Sequence, residues 1–262
     1  MPAWKLELEY DGTRYRGWPI EHNARTIQGE MAAAARGLFE AKPEIFGAEP
    51  TEAGVHAISQ TVHLKVASVR GDVTPRKMLA GFNELLPADI NVRSVANVPD
   101  DFHARHDSVA RSYIYQLATR RTAFAKNFVW WVKDEHDAAA MAEAAEMLFG
   151  RHDLGSFCET GDEKPRSTVV NVLHSEIFTD GGLICFRIGA ERFPPMVIRR
   201  IVGALAEVGR GKMSLDAFSR LIRFRSDAGS RFTAPPSGLF LEKVLYKGDT
   251  APGGKHAAIR VP

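Results

Sequence analysis

The stretch Thr51-Glu52-Ala53-Gly54-Val55-His56-Ala57 decides how this sequence is read. Alone, a Glu in a loop is surface decoration, and His56 reads as shaping the loop more than transferring protons. The setting gives the stretch its weight. Just downstream, Gln60 to Val66 alternates apolar and polar residues, the period of a strand with one buried face. Upstream, Leu6-Glu7-Leu8-Glu9-Tyr10 alternates in the same way and runs into Asp11-Gly12-Thr13, a turn. Thr26 to Phe39 sets Ile27, Met31, Ala34, Ala35 and Leu38 at helical spacing. Pro75 to Leu85 predicts a helix with Thr74 as its N-cap and Pro75 at its first position. Ile90 to Val98 is a strand.

The pattern then begins a second time. Tyr113 to Leu117 predicts a strand, and Ala138 to Phe149 a helix ended by Gly150. Its Met141, Met147 and Leu148 stripe is core. Val169 to Phe178 and Leu183 to Ile188 are strands joined by Asp180-Gly181-Gly182, a hairpin signal. Met196 to Val208 and Leu215 to Phe224 predict helices, and Leu239 to Tyr246 a last strand. Two successive halves of strands plus helices imply an α+β chain whose halves share one sheet. The halves divide as 1–107 and 108–246, and residues 247–262, rich in Gly, Pro, Lys and Ala, read as a flexible tail.

Composition narrows the class. With 262 residues, 45% hydrophobic and 25% charged, the chain matches a folded globular protein and argues against disorder. A net charge of +2 says little about nucleic acid, because binding depends on where Arg and Lys sit. Cys158 and Cys185 show neither CxxC nor zinc spacing and read as reduced thiols of a cytoplasmic protein. The nine His residues form no HExxH, so no metal is expected. No signal-peptide pattern opens the sequence, and no apolar run reaches the roughly 18 residues of a membrane span.

Several motifs stand in one order along the chain: Tyr10-Asp11-Gly12-Thr13-Arg14-Tyr15-Arg16-Gly17-Trp18, Thr26-Ile27-Gln28-Gly29-Glu30, Thr51 to Ala57, and Asn83-Glu84-Leu85-Leu86-Pro87-Ala88-Asp89-Ile90. Phe102-His103-Ala104-Arg105, Arg111-Ser112-Tyr113-Ile114-Tyr115, Arg199-Arg200-Ile201-Val202-Gly203 and Ala234 to Leu241 follow. In order and spacing these resemble the TruA-type tRNA pseudouridine synthase family over residues 3–246. The resemblance implies two ferredoxin-like halves sharing one continuous mixed, mainly antiparallel sheet, with helices on one face and a central basic cleft. It further implies a homodimer that binds tRNA and isomerises uridine in the anticodon stem-loop without metal or cofactor.

That isomerisation breaks an N-glycosidic bond, turns the uracil and re-forms the link through carbon. It needs a carboxylate at the sugar, as nucleophile at the anomeric carbon or base at its neighbour. It also needs a flat ring to hold the detached base, a cation to keep the carboxylate ionised, and a base drawn out of its stack. The resemblance assigns these roles to Glu52, Tyr113 and Arg199, with Leu239 packing near the pocket. Arg14, Arg16, Arg105 and Arg111 are the expected RNA contacts, and further basic clusters lie at Arg120, Arg121 and Lys126, at Arg210 and Lys212, and at Arg220, Arg223 and Arg225. His103 reads as ordering its segment, Cys158 as structural, and Trp130-Trp131 as strand packing that could also stack on bases.

The departures cluster at one place. The family reads G-R-T-D where this chain has Glu49-Pro50-Thr51-Glu52. Glu52 keeps a carboxylate but adds a methylene, and a displacement of about 1 Å can cost roughly a hundredfold in rate. Pro50 offers neither charge nor backbone donor in place of an Arg that helps displace the base. Glu49 adds a negative charge in the expected path of phosphates. Pro19-Ile20 replaces a polar pair, and Met196 stands where the family often has His. Three functions therefore stay open: a pseudouridine synthase of tRNA or a related RNA using Glu52, a catalytically impaired RNA-binding protein, and an isomerase of a free uracil nucleoside or nucleotide.

Overall fold

The computed structural model describes residues 2–39, 42–67, 73–158 and 167–261. The fold is α+β, with ten strands and five α-helices among the described residues. The chain forms two compact units: residues 1–109 with 241–251, and residues 110–240 with 252–262.

In the first unit, β1 (Ala3–Tyr10) lies between β4 (Ile90–Val98) and β3 (His56–Val66), antiparallel to both. A short β2 (Pro43–Gly47) pairs antiparallel with the far end of β3. Alternation in β1 turns Leu6 and Leu8 inward, and Val62, Leu64, Ile90 and Val92 join them in the core. Helices α1 (Ile27–Leu38) and α2 (Pro75–Leu85) add Ile27, Met31, Ala35, Met78 and Phe82. Each helix starts on a threonine: the Thr26 hydroxyl accepts from Gly29 N and that of Thr74 from Lys77 N. Asn83 latches α2 to β4 in both directions, its Nδ2 donating to Val92 O at 2.9 Å and its Oδ1 accepting from Val92 N at 2.8 Å. The Asn83 to Ile90 motif is thus a structural latch.

In the second unit, β5 (Ser108–Ala118), β9 (Leu183–Ala190), β8 (Val169–Asp180) and β7 (Gly150–Asp153) run antiparallel in that order. The two-residue β6 (Trp130–Trp131) adds parallel to β5, making the pairing mixed. Gly181, at φ 59°, supplies the left-handed turn between β8 and β9. Helices α3 (Ala138–Glu146), α4 (Val197–Gly209) and α5 (Leu215–Arg223) bury Met141, Ile201, Leu205, Phe218 and their neighbours. Strand β10 (Leu239–Tyr246) closes the element order.

Three strands, β2, β6 and β7, were not expected from the sequence; β6 has only two residues, and in β2 the exposed Phe46 masks the alternation. Helix α3 ends at Glu146, short of Phe149, because Met147, Leu148 and Phe149 each donate to the carbonyl three residues back and tighten the last turn. Of the segment read as a flexible tail, residues 252–262 lie in the second unit and are bonded to it. Arg187 Nη1 donates to Gly254 O, Ala257 N to Asp180 Oδ2, and Ile259 N to Gln116 Oε1, all at 2.8–2.9 Å. Asn83→Ala should lower unfolding free energy by about 2 kcal/mol and Thr74→Ala by about 1 kcal/mol, since the first removes two hydrogen bonds and the second one cap. Denaturant titration of the two variants checks both the sizes and their order.

Candidate functional site

The Glu52 loop links β2 to β3, and its backbone is fixed at almost every residue. Ala48 N donates to Thr61 O at 2.8 Å. Gln60, fully buried, then holds the next peptide in both directions: its Oε1 accepts from Glu49 N at 3.2 Å and its Nε2 donates to Glu49 O at 2.5 Å. Thr51 receives Trp18 N on its carbonyl at 2.9 Å, and its hydroxyl meets the Tyr10 hydroxyl at 2.7 Å. Burial keeps that Tyr10 phenol protonated far above the ordinary range. Val55 N donates to Glu52 O at 3.1 Å, closing a turn in which Gly54 takes φ 76°. Glu52 itself sits half-buried in this turn.

The segment Tyr10 to Trp18 is the seat of this loop, which gives its glycines a reason. A Cβ at Gly12 would lie 2.0 Å from Val55 O, and one at Gly17, where φ is +104°, 2.6 Å from Thr51 O. Two motifs far apart in sequence are therefore two sides of one contact.

Asp11 carries this seat's charge. Burial raises its pKa, but hydrogen bonds from His56 and Thr13 outweigh that and hold it near 2. His56 Nδ1 lies 3.1 Å from both Asp11 Oδ1 and Gly12 N, so a proton on Nδ1 serves the carboxylate and a bare Nδ1 serves the amide. The Thr13 amide, 2.9 Å from Asp11, and the Thr13 hydroxyl lower the carboxyl under either tautomer. His56 thus shapes the loop, as expected.

Around residue 103 the first unit holds a second buried group. His63 is 2% exposed, and its Nδ1 accepts from Ala104 N at 3.0 Å. Burial first, and then the neighbouring His103, push its pKa down to about 4. His103 Nδ1 accepts from the amides of Arg105 and His106, ordering its segment. Arg14, Arg16 and Arg105 are exposed. Arg14 lies 3.8 Å from Asp89.

Glu49 departs from the reading of it as a charge in the path of RNA: it is 9% exposed and buried beneath the loop. Pro50 is exposed.

In the second unit, Tyr113 lies on β5 opposite Ile188, 5% exposed, with Phe193 edge-on at 5.6 Å. Leu239 is buried at the start of β10. Arg199 lies in the first turn of α4, half-buried, and its Nε donates to Ala234 O at 2.8 Å while Ala234 N returns a bond to Arg199 O. The residue before the helix, Met196, holds φ 66°, a conformation that a β-carbon makes uncommon. Arg200 points elsewhere, buried, with Nη1 3.4 Å from Phe157 O. Arg111, also expected among the RNA contacts, is 6% exposed, and its Nη1 donates to Glu191 O at 2.6 Å. The Arg210 cluster is balanced by carboxylates, with Glu207 and Asp134 both paired to it.

Gln60 and Tyr10 escaped the sequence reading as parts of the loop's support. The signal for Gln60 was an amide in register with the apolar Ile58, Val62 and Leu64 along β3.

The tRNA pseudouridine synthase A of Rhodopseudomonas palustris (strain BisA53) is 36% identical over 250 residues, covering 94% of this chain and 100% of the relative. The chain belongs to the tRNA pseudouridine synthase A family. The protein of that name from Thermodesulfovibrio yellowstonii is 33% identical over 253 residues, covering 92% and 98%. A tRNA pseudouridine synthase A 2 of Bacillus anthracis is 32% identical over 251 residues, covering 94% and 100%. The family described as tRNA pseudouridine synthase also matches residues 144–247. Among the described residues, no cluster of three His, Cys, Asp or Glu side chains could hold a metal, and no helix is long and apolar enough to cross a membrane.

Two shifted groups of the first unit, His63 and Asp11, predict two steps in acid. A His whose folded pKa is about 4, below the ordinary 6.5, binds its proton more readily unfolded, so stability falls as pH drops from 6.5 to 4. Asp11, held near 2 against 3.8, contributes above 3.8 and loses that contribution as pH falls towards 2. Thermal melts from pH 7 to 2 should show both steps. His63→Asn, which keeps an acceptor for Ala104 N, should abolish the first and leave the second.

Proposed function

We propose that this chain is a pseudouridine synthase that isomerises uridine in tRNA, at the anticodon stem-loop or in a related RNA, with Glu52 in the nucleophilic position. The rigid seating of the Glu52 turn carries the reading. Every flank of that residue is fixed by buried bonds, among them Gln60 to Glu49, Trp18 to Thr51 and Val55 to Glu52. A surface loop without a task does not require a buried amide and two closely packed glycines to hold one carboxylate in place. Relatives named tRNA pseudouridine synthase A over 94% of the chain support the same reading.

In this reading Glu52 supplies the carboxylate, as nucleophile at the anomeric carbon or as base at its neighbour. Tyr113 offers the ring that holds the detached uracil, and Arg199 the cation that keeps the carboxylate ionised. Leu239 forms part of the wall. The bond from N1 of the base to the sugar breaks, the ring turns, and a carbon of the ring forms the new bond. The proton on that carbon departs and N1, released from the sugar, takes up a proton, so atoms balance without redox change. Arg14, Arg16 and Arg105 contact RNA phosphates, and the chain acts as a cytoplasmic homodimer.

A second reading is an RNA-binding protein without turnover, favoured by Pro50 alone: exposed, with no charge and no donor to displace a base. Incubation with a uridine-labelled tRNA transcript separates the two. Pseudouridine should form with the parent chain and fall roughly a hundredfold or more in Glu52→Ala. Glu52→Asp combined with Pro50→Arg should raise the rate over the parent. Absence of product at high protein concentration, beside an active relative, sinks the catalytic reading. RNA binding that survives in the same sample then supports the second.

A further inference from the structure

The segment 119–133 carries a feature the catalytic reading does not use. Its cations, Arg120, Arg121, Lys126 and Lys133, face no acidic residue within the segment. The next acidic residue, Asp134, is already paired with Arg210 and Lys212. Phe124 is 91% exposed and Trp131 41%. The Arg121 guanidinium lies over the Trp131 ring, 5.7 Å from its centroid. Arg121 and Trp131, together with Thr122, Ala123, Lys126 and Val129, line a cleft of ≈ 600 Å³. That volume falls within the range of small-ligand sites, roughly 300–1,000 Å³.

The exposure of these rings is built in. Thr119 donates its amide and its hydroxyl to Gly182 O, both at 3.0 Å. Phe128 N donates to Ala125 O at 2.8 Å, and Gln116 Nε2 to Phe128 O at 3.0 Å. The Ser237 hydroxyl donates to Val129 O at 3.2 Å, and β6 fixes Trp130 and Trp131 on β5. Trp130 turns inward, edge-on to Tyr115 at 6.3 Å, leaving Trp131 outward by strand alternation. A loop held at so many points, yet presenting two large rings to water, spends free energy that a binding partner would recover.

We infer that this cleft is a second RNA-contact surface, which takes a nucleobase from a single-stranded stretch of the substrate RNA, resting on the reading of the chain as an RNA-modifying protein. Flat bases stack on tryptophan rings and on guanidinium planes alike, so the Arg121–Trp131 pair forms the ledge of the cleft, and Phe124 is a further exposed ring of the same segment. Lys126 and Arg120 meet the flanking phosphates. Of the possible partners, an acidic polymer with aromatic faces fits cations interleaved with aromatics, and RNA is one.

The test measures the affinity of a fluorescein-labelled tRNA transcript by anisotropy at several salt concentrations, beside pseudouridine formation at saturating RNA. Trp131→Ala should weaken binding roughly five- to a hundredfold while the saturating rate stays within about twofold, and Trp131→Phe should restore most of the affinity. Arg121→Gln with Lys126→Gln, both exposed and harmless to the fold, should lower the slope of log affinity against log salt by roughly 1.5. Unchanged affinity and slope in these variants overturns the surface. A changed molecular mass with unchanged affinity also overturns it, assigning the cleft to a second copy of the chain. Failure to form pseudouridine with these affinity losses intact overturns only the catalytic reading.

Discussion

The Gln60 amide, buried on β3, grips the backbone of Glu49 with both its donor and its acceptor. A backbone peptide at the end of a strand pair must find partners, because an unpaired buried amide costs about 1–3 kcal/mol. By supplying both, Gln60 lets the chain leave the sheet at Ala48 and return at His56 without an orphaned group at the departure. The Glu52 turn hangs from that grip on one side and from the Tyr10 to Trp18 seat on the other. Its position follows from hydrogen bonds and close packing, not from any property of the carboxylate itself.

The seat explains why small residues recur in the first unit. Gly12 and Gly17 let backbone lie against backbone where any side chain would collide with Val55 or Thr51 carbonyls. Tyr10 contributes through its hydroxyl to Thr51, and its burial keeps that hydroxyl a neutral donor. Asp11 and His56 stand beside the same glycine, so charge and tautomer there are coupled to the packing that positions the loop. In the second unit the corresponding constraint is the Ala234 segment, which Arg199 holds through its guanidinium and its carbonyl. Gly238 continues it, leaving room for the Tyr115 ring.

Charge is distributed by the same logic. Arg111, Arg187 and Arg200 are buried and donate to backbone carbonyls, Arg187 to a carboxylate as well, so these guanidinium groups are held by the fold. Arg210 and Arg220 are paired on the surface with acidic neighbours. Exposed arginines stand at Arg14, Arg16 and Arg105, and the segment 119–133 carries four cations and no acidic residue. A net charge of +2 conceals this, because pairing removes most arginines from the account of what RNA would meet.

Much of this was legible along the chain. The threonine caps at Thr26 and Thr74, the strand at Ile90 to Val98 and the hairpin at Gly181 follow from local rules of propensity, capping and period. Motif order placed Glu52 in its loop and the chain in its family. Short β2, β6 and β7 were invisible because their pairing is decided by neighbours distant in sequence. The same holds for the individual side chains. The sequence cast Arg111 as an RNA contact, Arg199 as the cation beside the carboxylate and Glu49 as a charge in the path of phosphates, and gave Gln60 no role. Only the tertiary structure buried Arg111 and Glu49, tied Arg199 to Ala234 and set the Gln60 amide under the loop. Local sequence determines what a segment can form, but the partner of a buried polar group is chosen by whatever the rest of the fold brings within 3 Å of it.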